Sequence, residues 1–220
     1  MPDWLKALWW DCCWWSCSAG MIFGGSLRVR GTRHMPQTGP ALLIANHQSF
    51  FDPVLIGIAA RRRLSYLARK TLFDNRFFAF LIDTLNAVPI DQDGVGKEGI
   101  KTILAQLQQG RAVVVFPEGE RTEDGKMLPL KPGISLLIKR VNAPIIPIGI
   151  AGAHAAWPRH QLLPLPAPLF MPPWAGTMAV SVGPALDGKR FADLPRDQLL
   201  KDLFGELQKV QLDAERLRRK

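Results

Sequence analysis

The sequence predicts an α/β fold in which helices flank a mostly parallel central sheet. Short apolar runs of the kind found in buried strands alternate with segments whose apolar residues recur at helical spacing. This alternation is typical of strand–helix–strand units, whose strands lie parallel in one sheet. The clearest strand is Ala112–Phe116, and the clearest helix is Gly96–Gln109, which has one apolar face and ends at Gly110.

The predicted elements follow one another from Gly31 towards the end of the chain. Strands are predicted at Ala41–Asn46, Tyr66–Arg69, Ala87–Ile90, Ala112–Phe116, Ala143–Ile150 and Thr177–Val182. Helices are predicted at Pro53–Ala60, Asp74–Leu85, Gly96–Gln109, Pro132–Arg140 and Asp197–Leu217. Because proline cannot donate a hydrogen bond to a neighbouring strand, the two prolines of Ala143–Ile150 place it at a sheet edge or in an irregular ladder. Trp157–Trp174 contains six prolines and cannot be regular, so it is either a loop wrapped on the surface or an apolar flap near lipid.

Length and composition indicate a single domain with attachments. The chain has 220 residues, of which 47% are hydrophobic and 21% are charged, so it can fill one core and is not disordered. It contains no uninterrupted apolar run of ~18 residues, which excludes a polytopic membrane protein. We divide the chain into an N-terminal segment of residues 1–27, an α/β domain of residues 28–190 and a C-terminal amphipathic helix in residues 191–220.

Charge and cysteine content limit the class of partner and the compartment. The net charge of +9 favours nucleic acid, an anionic membrane surface or an anionic substrate. The basic clusters are not interleaved with aromatic residues and no nucleic-acid-binding motif is present, so we expect no nucleic-acid partner. All three cysteines lie within the first 17 residues. Because an odd, clustered set provides no disulfide framework, we expect a reducing compartment.

The N-terminal segment Met1–Leu27 has the composition of a membrane anchor. It contains five tryptophans, and its uncharged stretch of residues 12–27 is too short and too rich in glycine for a spanning helix. Tryptophan favours the headgroup boundary, so we expect a monotopic segment that lies in one leaflet, on the cytoplasmic face. The basic residues that follow would then meet the phosphates of anionic lipids: Arg28, Arg30 and Arg33. The alternative is a helix that packs on the domain.

A histidine and an aspartate follow the first strand of the predicted sheet. His47 would lie at the carboxyl end of that strand, where open α/β sheets carry their sites, and Asp52 stands before Pro53 at the predicted helix start. If the chain turns so that the two side chains meet, the carboxylate fixes the imidazole tautomer and leaves the other nitrogen as a proton acceptor. Such a pair suits activation of a substrate hydroxyl, although the same spacing also arises by chance. No third ligand accompanies the pair, so no metal site is expected.

A second polar turn follows the clearest strand. It brings Glu118 and Arg121 to the same edge of the sheet as His47, and Gly119 between them permits a tight turn. Arg121 is suited to bidentate recognition of a phosphate group, and Lys131 follows ten residues later. The alternative is an ordinary polar turn at a strand end.

Together these segments resemble the motifs of the glycerolipid acyltransferase superfamily, to which the lysophospholipid acyltransferases belong. The family patterns N-H-x-S-x-x-D, F-P-E-G-T-R-S and V-P-I-V-P resemble Asn46–Asp52 (NHQSFFD), Phe116–Thr122 (FPEGERT) and Ala143–Pro147 (APIIP). Lys131 stands where the family has a lysine–glycine turn, and Lys70 stands in a basic pair before the second motif. The resemblance extends from about residue 27 to residue 182.

The resemblance implies the glycerol-3-phosphate/1-acylglycerol-3-phosphate acyltransferase-like fold and acyl transfer without a cofactor. His47 would take the proton from a lysophospholipid hydroxyl as that hydroxyl attacks an acyl thioester, either acyl-CoA or acyl carrier protein, while Asp52 holds the imidazole. The expected acceptor is 1-acyl-sn-glycerol-3-phosphate. The residues expected to bind its glycerol phosphate are Glu118, Gly119 and Arg121, with Lys131 or Lys70 adding positive charge.

Two departures from the family patterns leave the acceptor open. Gln92 stands where the second motif, F-I-D-R, has arginine, and Glu120 replaces a threonine. Both changes reduce the positive charge expected around a phosphate group. Acyl transfer to a different lysolipid or another lipid acceptor is therefore an alternative. Two others are a hydrolase, in which water replaces the hydroxyl, and a non-catalytic membrane-surface protein that keeps the fold.

Overall fold

The computed structural model describes residues 3–74, 79, 87–90, 96–158, 160–161, 163–170 and 172–220. In this part of the chain one sheet is formed by β1 (Arg28–Arg30), β2 (Ala41–Ala45), β3 (Leu64–Arg69), β4 (Ala87–Ile90), β5 (Ala112–Val115), β6 (Ile145–Ala151) and β7 (Ala179–Val182). The helices are α1 (Asp3–Gly25), α2 (Asp52–Ala60), α3 (Lys97–Gln108), α4 (Gly133–Ile138), α5 (Ala153–Ala156), α6 (Gly188–Asp193) and α7 (Arg196–Arg218).

The sheet has the strand order β1-β7-β6-β2-β5-β3-β4. Neighbouring strands are parallel except β6 and β7, which are antiparallel. The mostly parallel sheet with flanking helices that the sequence predicts is thereby confirmed. The five strands from β6 to β4 all end at one edge of the sheet, and β2 is the central strand of the whole seven-stranded sheet.

Apolar side chains fill a layer on each face of the sheet. Leu43 of β2 belongs to the layer that contains Leu55 of α2, whereas Leu42 belongs to the layer that contains Ile103 of α3 and Leu203 of α7. Successive side chains of a strand point to opposite faces, so a strand covered on both faces must be apolar throughout. This explains why β2 is a continuous apolar run in which every residue is buried.

The predicted edge position of Ala143–Ile150 is wrong, because β6 lies inside the sheet between β2 and β7. The antiparallel ladder ends where Ile148 pairs with Val182, the last residue of β7. Beyond that point the Pro147 carbonyl accepts a hydrogen bond from the N–H of Gly183 (2.9 Å). Pro147 and Gly183 thus face each other, and a residue other than proline would return a hydrogen bond from its N–H to the Gly183 carbonyl, so the ladder lacks this one bond at the end of β7. This agrees with the irregular ladder that was the other alternative.

Most other predicted elements are present with ends shifted by a few residues. The predicted helix Asp197–Leu217 is α7. The described residues of Trp157–Trp174 contain neither helix nor strand, as the prolines require. The predicted helix Asp74–Leu85 lies almost entirely outside the described residues. Three short elements, β1, α5 and α6, were not predicted, because three to six residues carry too little periodicity.

The N-terminal helix α1 packs on the domain along one face. Trp14 donates a hydrogen bond from its Nε1 to the carbonyl of Gly57 in α2 (3.3 Å), and Met21 packs against the apolar layer around α2. Several large apolar side chains of α1 are exposed, including Trp4, Trp15 and Phe23. None of the described helices combines the length and apolar character needed to cross a membrane. The position of α1 in one leaflet stays a prediction.

One of the three arginines expected at lipid phosphates is bound within the protein. Arg28 donates hydrogen bonds from Nη1 to the carbonyls of Leu217 (3.1 Å) and Arg218 (3.2 Å) at the end of α7. The last carbonyls of a helix have no partner within the helix, so a cation is favourable there. Arg30 and Arg33 are exposed.

Candidate active site

The site forms at the carboxyl edge of the sheet, where β2 ends beside β6. Asn46 follows β2 and is buried. Its Nδ2 donates to the carbonyl of Ile150 (3.0 Å), and its Oδ1 accepts from the N–H of the same residue (2.7 Å). These two bonds fix the end of β2 to β6, so the turn that begins at His47 starts from a rigid position.

The structure brings His47 and Asp52 together. The His47 Nδ1 lies 2.7 Å from Asp52 Oδ2, which also accepts hydrogen bonds from the backbone N–H groups of Gln48 (2.5 Å) and Ser49 (2.8 Å). Asp52 is fully buried. Because the carboxylate accepts, Nδ1 carries the proton and Nε2 carries the lone pair. Asp52 is the first residue of α2, and its position before Pro53 favours a role as the helix N-cap. Its carboxylate is instead directed back to the preceding turn, so it does not cap the helix.

The imidazole of His47 is held on one face by Phe116. The two ring centroids are 4.0 Å apart and the rings are nearly parallel, with an interplanar angle of 16°. The side chain of His47 is 20% exposed, and within the described part of the chain nothing is hydrogen-bonded to Nε2. Nε2 is therefore the atom that can accept the proton of a bound hydroxyl.

Glu118 does not face a substrate, which corrects the role expected for it. Its carboxyl group is buried, and Oε1 accepts from the N–H of His47 (2.7 Å) while Oε2 accepts from the N–H of Leu128 (2.5 Å). Both oxygens are used within the protein, so the side chain joins the turn after β5 to the His47 turn. Burial, with a smaller contribution from the charge of Asp52, raises the pKa of Glu118 to about 7 against the lowering effect of the two backbone hydrogen bonds.

Gly119 forms the predicted tight turn and is covered by Lys131. Its φ is +79°, a left-handed conformation, and a Cβ there would lie 3.1 Å from the Cγ and Cε of Lys131. The N–H of Lys131 donates to the carbonyl of Pro117 (2.7 Å). Its Nζ lies 3.6 Å from Glu120 Oε1, and both side chains are about half exposed. The structure thus places Lys131 at the turn, with its charge partly balanced by Glu120.

Arg121 lies against an aromatic ring beside the His47 turn. Its guanidinium carbon is 3.5 Å from the centroid of the Phe50 ring. The next residue, Thr122, donates its N–H to the carbonyl of His47 (3.0 Å). A guanidinium whose flat face stacks on a ring still directs its N–H donors outward in its own plane. Two of these donors can bind a phosphate group in a bidentate manner. Arg121 therefore has a geometry compatible with the expected phosphate contact.

Lys70 lies at the same edge of the sheet but farther from the pair. It is exposed and begins a short 3-10 helix, Lys70–Phe73, directly after β3. β3 is separated from β2 by β5, so the two strand ends are ~10 Å apart. Its contact with a substrate stays a prediction, and Gln92 lies outside the described residues.

Residues next to the pair make contacts that the sequence did not predict. Ser49 donates from Oγ to the carbonyl of Trp157 (3.0 Å), and Gln48 donates from Nε2 to the carbonyl of Gly125 (3.2 Å). The ring of Trp157 lies 5.3 Å from that of Phe50. These contacts tie the His47 turn to the loops after β5 and β6. Gln48 and Ser49 lie inside the first motif, but the motif does not say what they bind. Their partners are backbone carbonyls 77 and 108 residues further along the chain.

The arrangement is that of a general-base site. A buried carboxylate orients a histidine, and among the described residues no serine or cysteine side chain is hydrogen-bonded to that histidine. The described residues also contain no group of three or more His, Cys, Asp or Glu that could hold a metal ion. Such a site can deprotonate a bound hydroxyl group or a water molecule.

Comparison with known proteins defines the kind of transferase. Residues 26–151, more than half of the chain, match the model of the family described as Acyltransferase. The chain belongs to this family, and it is an acyltransferase. The resemblance predicted from the motifs is confirmed.

Named relatives and one solved structure are similar to the chain. The 1-acyl-sn-glycerol-3-phosphate acyltransferase of Bacillus subtilis (strain 168) is 26% identical over 177 residues, which are 80% of this chain and 81% of that protein. The mouse 1-acyl-sn-glycerol-3-phosphate acyltransferase alpha is 32% identical over 133 residues, which are 59% of this chain and only 47% of the relative. The crystal structure of the 1-acyl-sn-glycerophosphate (LPA) acyltransferase, PlsC, from Thermotoga maritima matches with a TM-score of 0.71 at 23% identity, covering 88% of this chain and 73% of that chain. It shows the same fold.

Proposed function

We propose that this acyltransferase moves a fatty acyl group from an acyl thioester to the hydroxyl of a lysophospholipid. The donor is acyl-CoA or acyl carrier protein, and the acceptor is 1-acyl-sn-glycerol-3-phosphate, which becomes phosphatidic acid. The observation that carries the proposal is the 2.7 Å hydrogen bond between His47 and Asp52 that leaves Nε2 as a base. The names of the Bacillus and mouse relatives support this acceptor.

The proposed reaction needs no acyl-enzyme and no cofactor. His47 Nε2 accepts the proton of the acceptor hydroxyl as the oxygen attacks the carbonyl carbon of the thioester. Asp52 stabilises the imidazolium that forms. When the tetrahedral intermediate collapses, the C–S bond breaks and the imidazolium returns its proton to the thiolate, so a thiol and an ester are released.

Arg121 is the residue that we propose to bind the phosphate of the acceptor, because its guanidinium lies beside the His47 turn. Gly119 permits the tight turn over which Lys131 packs, and Lys131 and Lys70 add positive charge at the same edge of the sheet. Glu118 acts on the substrate only through the two turns that it joins.

We propose that the reaction takes place at the cytoplasmic face of a membrane that contains anionic lipids. The acceptor is an amphiphile that resides in a bilayer, so the enzyme must reach it there. The exposed tryptophans of α1 suit the headgroup boundary, and the net charge of +9 suits an anionic surface.

The test is the release of thiol from palmitoyl-CoA in detergent micelles, with and without 1-acyl-sn-glycerol-3-phosphate. We expect turnover only with the acceptor. His47→Ala should lower kcat by at least ~100-fold, because a positioned general base contributes ~10²–10⁴-fold. The matched control is His34→Ala, because His34 is a half-buried histidine outside the site that bonds through Nδ1 to the carbonyl of Val182 (3.0 Å).

Each alternative gives a different result in this assay. Thiol release without an acceptor would identify a hydrolase. Activity with the acyl thioester of acyl carrier protein, and none with palmitoyl-CoA, would identify acyl carrier protein as the donor. Full activity of His47→Ala would overturn the proposed base.

A second candidate is acyl transfer to a lysolipid with a different headgroup. The observation in its favour is the 3.6 Å approach of Glu120 to Lys131, which offsets one positive charge beside the proposed phosphate position. It predicts that lysophosphatidylcholine or another zwitterionic lysolipid gives a higher kcat/KM than lysophosphatidate in the same assay. A preference for lysophosphatidate would reject it.

A further inference from the structure

The loop after α5 exposes apolar side chains in a long stretch without charge. Residues 161–186 contain no charged side chain. Phe170 is 89% exposed and Leu163 is 74% exposed, and Leu169 and Trp174 are also exposed. Exposed loops of soluble proteins are normally polar, so a cluster of this kind indicates an interaction surface.

The backbone of this loop is bonded to the end of α1. The N–H of Ala167 donates to the carbonyl of Gly24 (2.7 Å), and the N–H of Leu169 donates to the carbonyl of Phe23 (3.0 Å). Ser26 donates from Oγ to the carbonyl of Ala167 (2.7 Å). The exposed side chains of the loop therefore lie beside those of α1, where Phe23 is 65% exposed. We call the exposed residues of the two segments the apolar surface: Trp15, Phe23, Leu163, Leu169, Phe170 and Trp174.

The apolar surface lies at the same edge of the sheet as the active site. Met178 donates its N–H to the carbonyl of Gly25 at the end of α1 (3.3 Å). The next residue, Ala179, pairs with Ala151, the last residue of β6. At its other end the loop begins at Trp157, whose carbonyl accepts the hydrogen bond of Ser49 next to the histidine. The loop thus connects the His47 turn with the end of α1.

We propose that the loop of residues 163–170 and 172–174 is a second lipid-inserting element, which enters the bilayer interface together with the C-terminal half of α1. This inference rests on the proposed function, in which the acceptor comes from a membrane. A bilayer is favoured over a protein partner because residues 161–186 carry no charged side chain and because both the loop and α1 expose tryptophan, the residue typical of the headgroup boundary.

The position of the apolar surface suits delivery of the acceptor from the bilayer to His47. A lysolipid that left the bilayer at this edge would reach His47 without its acyl chain crossing water, because the loop spans the distance between them. Insertion of the loop therefore serves both membrane affinity and delivery of the acceptor.

The test is binding to vesicles of mixed phosphatidylcholine and phosphatidylglycerol, measured by co-flotation. Phe170→Asp is expected to weaken binding at least ~10-fold, because a large apolar side chain no longer leaves water on binding. Leu212→Asp is the matched control and should bind as the wild type does, since Leu212 is 47% exposed on α7, away from the apolar surface. Circular dichroism and thermal unfolding check that both variants fold. With acceptor embedded in vesicles, Phe170→Asp should raise KM, and with a short-chain acceptor in detergent its kcat should equal that of the wild type.

The outcomes separate this inference from the proposal on which it rests. If Phe170→Asp binds as the wild type does while Trp15→Asp loses binding, the loop is not an inserting element and the membrane site of α1 stands. If the wild type binds no vesicles, both the proposed membrane site and this inference are overturned. If Phe170→Asp instead converts a dimer into a monomer with unchanged vesicle binding, the surface belongs to a second copy of the chain and the inference is wrong.

Discussion

The substitution Glu118→Gln replaces a buried carboxyl group with an amide of nearly the same shape. The carboxyl oxygens accept hydrogen bonds from the N–H groups of His47 and Leu128, and the side chain is 1% exposed. Glutamine cannot titrate. The difference in the free energy of unfolding between wild type and variant, measured as a function of pH, therefore isolates the titration of Glu118.

The structure gives the sign and the size of that difference. Burial raises the pKa of Glu118 from 4.5 to about 7, so the folded state holds the proton more tightly than the unfolded state does. The stabilisation that the group contributes is fully present below pH 4.5 and is lost as the pH rises through 7. Between pH 5 and pH 8 the free energy of unfolding of the wild type should fall by about 2–3 kcal/mol relative to the variant.

Urea unfolding of both proteins at intervals from pH 5 to pH 8 measures this difference. Glu120→Gln, at a half-exposed position in the same turn, controls for the loss of one negative charge. A difference that stays constant with pH would refute the reasoning, because burial would then not set the protonation of Glu118. A difference that grows with pH would show that the two backbone hydrogen bonds outweigh desolvation and hold the group as a carboxylate.

Two further predictions concern neighbouring residues. Phe50→Leu should raise the KM for lysophosphatidate ~2–30-fold at unchanged kcat, because a stack worth ~0.5–2 kcal/mol under Arg121 is lost, and Phe50→Tyr should restore it. Steady-state kinetics decides, and equal KM values for the two variants would exclude an effect of the aromatic face. Gly119→Ala should lower the free energy of unfolding by at least ~1–2 kcal/mol, because φ is +79° and the new Cβ would press on Lys131. Gly39→Ala, with φ +73° and nothing within 4 Å of the added Cβ, is the control, and an equal loss in both would show that Lys131 contributes nothing.

The sheet and the His47–Asp52 pair could be predicted from the sequence because both depend on local patterns. β2 and β5 are apolar throughout, as strands buried on both faces must be, and the polar residues that follow parallel strands meet at one edge. Burial of a polar side chain leaves no such pattern. The pattern of apolar and polar residues does not distinguish Glu118, which is buried, from Glu120, which is half exposed. The position of Pro147 inside the sheet could not be predicted either. It is tolerated because β7 ends nearby, at Val182, and Val182 is 35 residues further along the chain.

The polar residues of the motifs divide into two groups by what they bind. Asn46, Asp52 and Glu118 all hydrogen-bond to backbone groups of the turns or strands around them, and each is buried. Their side chains therefore fix the shape of the two turns, whatever lipid is bound. His47 and Arg121 are only partly buried, so they are the motif residues that can touch a substrate. For the lysophospholipid acceptor that we propose, we therefore expect the headgroup to be selected by exposed charges outside the buried set. Glu120 and Lys131 are the first of these to exchange in a search for altered acceptor preference.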